Sequence, residues 1–347
     1  MSTRAAAPRA TAPAPAHATH RTAGRLLLLL LVAVAAALFA LTIGAAGLPP
    51  AEVLRAFTGN ADATTRTIVL ELRLPRIALA FIAGGGLALA GAVFQAVLRN
   101  PLAEPYVLGV AGGAAVGAVA AVVFGLAAVP GLVQIAALAG AVGAMLLVLR
   151  IALRVGRALD TRVLLLAGVV VGAFFNAVIL LLLMMADVES FRSAVFWMMG
   201  SVAGASWRTT ALLTVYVVPS VLVLLALARP LNLLAIGEET ALFLGARVER
   251  VKLLAYLIAS LLVAAAVAAC GVIGFIGLIV PHALRLAWGS DHRLLLPASL
   301  LGGGTFLLLA DTAARSIAAP AELPVGVITA LVGVPIFVLL LRRSPAP

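Results

Sequence analysis

The chain has 347 residues, 64% of them hydrophobic and 11% charged, and its mean hydropathy is +1.21, whereas a soluble domain carries about 25% charged residues. A water-soluble fold is excluded, and at about 20 apolar residues per bilayer crossing the chain has room for on the order of ten spans and little else. The formal charge is +11, with 24 basic against 13 acidic residues; Lys252 is the sole lysine and the arginines are scattered between apolar runs, a topology signal and not the stripe that nucleic acid requires.

Residues 1–24, rich in Ala, Pro, Thr and Arg, lack hydrophobic periodicity and are expected to form a disordered cytoplasmic tail. A run at 26–46 follows Arg21 and Arg25; its length and the many later spans favour a retained helix over a signal peptide. Further spans are expected at 77–98, 107–125, 131–149, 163–186, 209–228, 252–271, 273–288, 295–315 and 325–341. The result is an all-α polytopic membrane protein whose ten spans fill one transmembrane domain, 25–343, before a short tail at 344–347. The 273–288 segment is short for a bilayer and is expected to be partial or tilted. Phe191 to Ala205 is also too short to span and reads as a re-entrant or interfacial helix, tolerated at depth only where protein buries it.

With the N-terminus in the cytoplasm, seventeen of the 24 basic residues fall on the inside, which puts both termini there. Gly109, Gly113 and Gly117, then Gly168 and Gly172, recur every four residues, and 84–86 and 302–304 are glycine triplets. Such spacing lets helix backbones approach closely, within the chain or, as the sharper reading, between two copies.

Few residues carry chemistry. A P-loop needs a Gly-Lys pair, but Lys252 follows Val251, so if ATP is used another polypeptide binds it with its Mg, and no cofactor is expected in this chain. An intramembrane enzyme built on Ser201 and His282 is the alternative of another class; Gly200-Ser201 is not the spaced nucleophile elbow. Cys270 is the only cysteine. Pro281-His282 and Asp291-His292-Arg293 lack a second histidine at i+4, so no metal site is expected and both read as helix-end or interfacial residues.

Asp311 in an apolar helix needs a partner, and Arg315, four residues on, shares its face. They form a structural ion pair near the outer surface, or Asp311 orients Arg315 in an outward-facing basic docking site. As a lone acidic group, Asp311 gives an ion-driven carrier little support. In Arg73-Leu74-Pro75-Arg76, Pro75 suits a first helical turn; the two arginines either bind an acidic partner or anchor the helix by snorkelling. Between the sixth and seventh spans, Glu238 and Glu239 suit the start of a short surface helix and Gly245 its end. Phe243 and Leu244 would face solvent there, as in a partner-docking helix or one lying on lipid.

Together these segments resemble the FecCD-type permease family, the membrane subunits of ABC importers for iron-siderophore complexes, haem and vitamin B12. The matching stretches include Arg73 to Arg76, Gly91 to Gln95, Arg99-Asn100-Pro101-Leu102-Ala103-Glu104-Pro105, Trp197 to Ser201, Gly237-Glu238, Leu244-Gly245, Gly274 to His282 with Arg285, Asp291-His292-Arg293, Asp311 with Arg315, and Glu322 to Gly326 leading to Gly333-Val334-Pro335. The resemblance covers roughly residues 50 to 343. It implies a second permease subunit, most simply in a homodimer, two ABC ATPase subunits beneath, and a periplasmic or lipid-anchored substrate-binding protein above, all in the cell inner membrane. Arg73, Arg76 and Arg315 would receive glutamates of that binding protein. Gly237, Glu238, Glu239, Leu242, Phe243, Leu244, Gly245 and Arg247 would couple to the ATPase, and Arg157 to Arg162, including Asp160 and Thr161, would lie near the cytoplasmic gate. A ferric siderophore-type chelate, the broadest substrate class of the family, is the expected cargo; cobalamin and haem are the alternatives.

Overall fold

The computed structural model describes residues 16–44, 47–156 and 159–343, which are helical throughout apart from their connections. In chain order the helices are α1 (Ala16–Thr42), α2 (Pro50–Thr58), α3 (Ala63–Thr67), α4 (Leu74–Val97), α5 (Val110–Val123), α6 (Leu132–Val155), α7 (Thr161–Met184) and α8 (Val188–Met198). They continue as α9 (Trp207–Ala226), α10 (Ala228–Ile236), α11 (Glu238–Phe243), α12 (Val248–Cys270), α13 (Ile276–Trp288), α14 (His292–Ile317) and α15 (Val325–Arg343). Among the described residues, seven helices are long and apolar enough to cross a membrane, and three shorter apolar ones, α5, α13 and α15, lie where the other three spans are expected.

Two boundaries differ from expectation. Helix α1 reaches back to Ala16, into the stretch expected to be disordered, while residues 1–15 and 344–347 lie outside the described ones. The second span begins well before 77, because a π-helical turn (Ile68–Arg73) joins α3 to α4 in one continuous helix over 63–97. Its charged residues looked like loop, but they occupy the end of a helix that projects beyond the apolar stretch.

Helix α4 is the centre of the bundle and packs on α9, α12, α13 and α14. Close approach depends on the absence of side chains: a Cβ on Gly84 would meet the Gly303 carbonyl, and one on Gly91 would overlap the Gly277 backbone. Gly113 and Gly117 do the same for α5 against Gly140 and Ala136 of α6. Most of the small-residue motifs thus serve packing within the chain. Gly172 has open space around it.

The short 273–288 segment is explained by a break. Helix α12 ends at Cys270 and α13 starts at Ile276, where Gly277 sits beside Leu87, Gly91 and Pro105, along the body of α4 and not at its end. Non-helical backbone at that depth must find partners in the protein. The Tyr106 hydroxyl donates to the Ile273 carbonyl at 2.5 Å and accepts from its N–H at 2.9 Å, and Glu104 accepts from the Phe275 N–H at 2.8 Å.

Helix α8 lies across α5 and α7, with Ala194 buried against Ala115, Val119 and Ile179 while Val188, Phe191 and Phe196 stay exposed. It stops at Met198 instead of running to 205 because Gly200, at φ 70°, turns the chain so that the Ser201 N–H donates to the Cys270 carbonyl. Asp187 caps α8 and Asp62 caps α3; the N–H groups of Ser190 and Thr65, then their hydroxyls, hold both carboxyls below the usual range.

Candidate functional site

Two clusters of charge stand at opposite ends of the bundle. The first is built by the π turn and α4 with α14 and the end of α1. Arg76 lies between two carboxylates: its Nε donates to Asp311 at 3.0 and 3.2 Å and its Nη2 at 2.9 Å, while Nη1 donates to both oxygens of Glu322 at 3.0 Å. Asp311 is 3% exposed, so this bidentate fork is its main counterion. The expected Asp311–Arg315 pair is present but longer, at 3.8 Å.

Arg73 and Arg315 do not point outward as expected. Both are buried and close the C-terminal end of α1, where carbonyls lack helical partners. Arg315 donates to Ile43 at 2.6 Å and to Ala40 at 2.5 Å, and Arg73 donates to Leu41. A Cβ on Gly44 would stand 2.9 Å from Arg73 Nη2 and 3.0 Å from Arg315 Nη1, so a larger residue there would push the guanidiniums aside. The negative pole of the helix offsets their repulsion. With Arg76, Asp311 and Glu322 the cluster keeps one net positive charge.

The second cluster lies at the cytoplasmic end by the arginine distribution. Helix α11 begins at Glu238, and Gly245 ends the turn at φ 81°, as the sequence predicts. Leu242, Phe243 and Leu244 are 58, 91 and 61% exposed. Beneath α11 is a cavity of about 570 Å³ whose lining includes Arg99, Asp160, Thr161, Arg162, Glu238 and Lys252. Lys252 Nζ reaches Glu238 at 2.9 Å and Glu249 at 3.3 Å, Arg99 reaches Glu238 at 3.5 Å, and Glu249 accepts the Leu159 N–H at 2.9 Å. Asp160 accepts the Arg162 N–H at 2.7 Å and so caps α7 at Thr161; Arg157, in the same expected gate region, lies outside the described residues.

Sequence reasoning missed Lys252, Glu249 and Arg99 as members of one network. The available signal was the sole lysine standing three residues after Glu249 in an apolar helix.

The histidines divide. His292 opens α14 with its N–H and Nδ1 on Asn232 at 2.8 and 2.7 Å, a helix-end role as expected. Next to it, burial pushes the Asp291 carboxyl up, but hydrogen bonds from Asn232 and the Arg293 N–H with the neighbouring positive charges outweigh this and leave it lowered. His282 is instead buried inside α13 with neither ring nitrogen hydrogen-bonded to protein. Ser201, its partner in the enzyme alternative, accepts the Ala203 N–H in an exposed turn.

A bundle of apolar helices around a glycine-packed central helix, with one broken span and charged clusters at its two ends, defines a polytopic permease. The model of the FecCD transport family matches residues 29–343. The cobalamin import permease BtuC of Halobacterium salinarum is 50% identical over 80% of this chain and 74% of its own length. The hemin transport permease HmuU of Yersinia pestis is 41% identical over 80% of this chain and 84% of its own. A solved metal-chelate type ABC transporter in an inward-facing conformation superposes with a TM-score of 0.82 at 34% identity, covering 92% of this chain and 99% of that one. The chain belongs to the FecCD transport family and is a multi-pass ABC importer permease subunit.

Proposed function

We propose that this subunit pairs with a second permease subunit, most simply its own copy, in the cell inner membrane and forms the translocation pathway for a metal chelate. Two ATPase subunits holding ATP and Mg would sit beneath, and a periplasmic or lipid-anchored binding protein would deliver the cargo above. Helix α11 carries the reading: three adjacent apolar side chains exposed at the cytoplasmic end, on a helix tied to the body by Glu238, are what a docking element for another subunit requires.

ATP-driven closure of the ATPases would displace α11 and open or close the segment at Asp160 and Thr161. At the other end, Arg76 is the docking group: Glu322, 44% exposed at its side chain, can be exchanged for a glutamate of the binding protein. Arg73 and Arg315 contribute charge and hold the end of α1 beneath it. For the cargo, the names of the relatives weigh toward cobalamin and haem, while the breadth of the family favours a ferric siderophore. All three are bulky chelates suited to an apolar route such as the α7 face bearing Leu166, Val170 and Phe174.

Replacing Phe243 by Asp is expected to abolish recovery of the ATPase with the purified chain while leaving thermal unfolding unchanged, because the side chain touches solvent. Normal recovery would remove α11 as the docking element. Uptake of cobalamin, hemin and a ferric hydroxamate by reconstituted vesicles identifies the cargo.

A further inference from the structure

We propose that Lys252 is a positioning residue for transport, tying the coupling helix α11 to the entrance of α7 so that the two move as one body. The proposal rests on the reading of α11 as the ATPase-docking element. Four segments distant in sequence meet in one chain of contacts. The Leu159 N–H, just before α7, donates to Glu249 at 2.9 Å; Glu249 meets Lys252 at 3.3 Å; Lys252 meets Glu238 at the start of α11 at 2.9 Å. Glu238 offers its other oxygen to Arg99, beyond the end of α4, at 3.5 Å. Both oxygens of each glutamate are therefore engaged, and two cations balance two anions.

The open cavity of about 570 Å³ lies between the two elements, lined by Asp160 and Thr161 from one and Gly237 to Thr240 from the other. Across that volume a displacement of α11 passes to α7 through charged side chains, not through apolar packing. The position of the lysine also needs a reason beyond stability. Its side chain is 2% exposed, and burying an ammonium costs several kcal/mol before pairing, so an apolar residue of similar size is often as stable. What an apolar residue cannot do is grip two carboxylates at once.

The test uses the complete transporter, with its ATPase and binding protein, reconstituted in liposomes. ATP hydrolysis and uptake of cobalamin, hemin and iron-labelled ferrichrome are measured on the same vesicles. Lys252→Met is expected to keep ATPase content and hydrolysis within about twofold while cargo moved per ATP falls roughly tenfold, in the range typical of coupling between sites. Lys252→Arg, which keeps the charge, should recover at least half of that ratio. Glu249→Ala removes the acceptor of the Leu159 N–H together with one of the two carboxylates on Lys252, which keeps Glu238, and should lower the ratio as well. Wild-type cargo per ATP in either Lys252→Met or Glu249→Ala overturns the proposal. So does a loss that merely follows reduced ATPase content, the mark of a structural role. If the unaltered chain recovers no ATPase, the docking reading fails first and this one with it.

Discussion

Arg76 and Asp311 show what a deeply placed charge demands of its neighbours. The Asp311 side chain is 4% exposed and Arg76 14%, and the fork between them leaves neither unbalanced. Arg76→Met strips the main counterion from a buried carboxylate, a change that typically costs about 3–5 kcal/mol; Arg315 at 3.8 Å should hold the loss toward the lower end. Arg76→Met with Asp311→Leu removes both charges and is expected to regain most of it, whereas Glu322→Gln, at the exposed arm, should cost less than about 1 kcal/mol. Thermal unfolding in detergent measures all three, and a double variant as unstable as Arg76→Met would show that the pair is not what stabilises this end. Part of this cluster is readable from sequence, since a lone Asp in an apolar run asks for an arginine. Its main partner is not readable: Arg315 is the neighbour four residues away, yet Arg76, 235 positions distant, holds the better geometry. That Arg73 and Arg315 cap α1 is equally invisible, because helix ends exert no sequence-local pull on residues 32 and 272 positions away.

At the scale of elements, the spans were legible because run length and hydropathy follow directly from bilayer thickness. Interruptions were not, because they are fixed by what packs beside them. The π turn before α4, the added helix α10 and the mid-bundle start of α13 all depend on tertiary partners. The segment between α12 and α13 is the clearest case: residues 271–275 avoid a helix because Glu104 and Tyr106 supply the hydrogen bonds that a helix would otherwise make. Glu104→Ala would orphan the Phe275 N–H in a water-poor interior and is expected to cost about 1–3 kcal/mol, while Glu104→Gln keeps an acceptor and should cost less. Equal losses in thermal unfolding for the two variants would mean that the Phe275 contact contributes little.

For the whole molecule, burial separates an inner set of helices from an outer one. The continuous helix over 63–97, α12 and α14 are 61–83% buried along their spans, whereas α1, α6, α7 and α9 are 22–28% buried. Lipid can cover most of that outer surface, but a second subunit must cover part of it if a pathway is to be enclosed. Helix α7 is the face that fits. In the proposed reading the gate lies at Asp160 and Thr161, where α7 begins, so a route closed there would run along this helix. It also presents Gly172 with nothing within 4 Å, on the same face as exposed Val169; a glycine in such a position lets a neighbouring helix approach closely. The only cysteine, Cys270, is buried, so the unaltered chain gives no background with a short bifunctional thiol reagent. Val169→Cys in native membranes is expected to yield a crosslinked dimer, and Val215→Cys, at an exposed position on α9, is expected to remain monomeric. A dimer from position 215 with none from 169 would move the subunit boundary, and the pathway with it, to the α9 face.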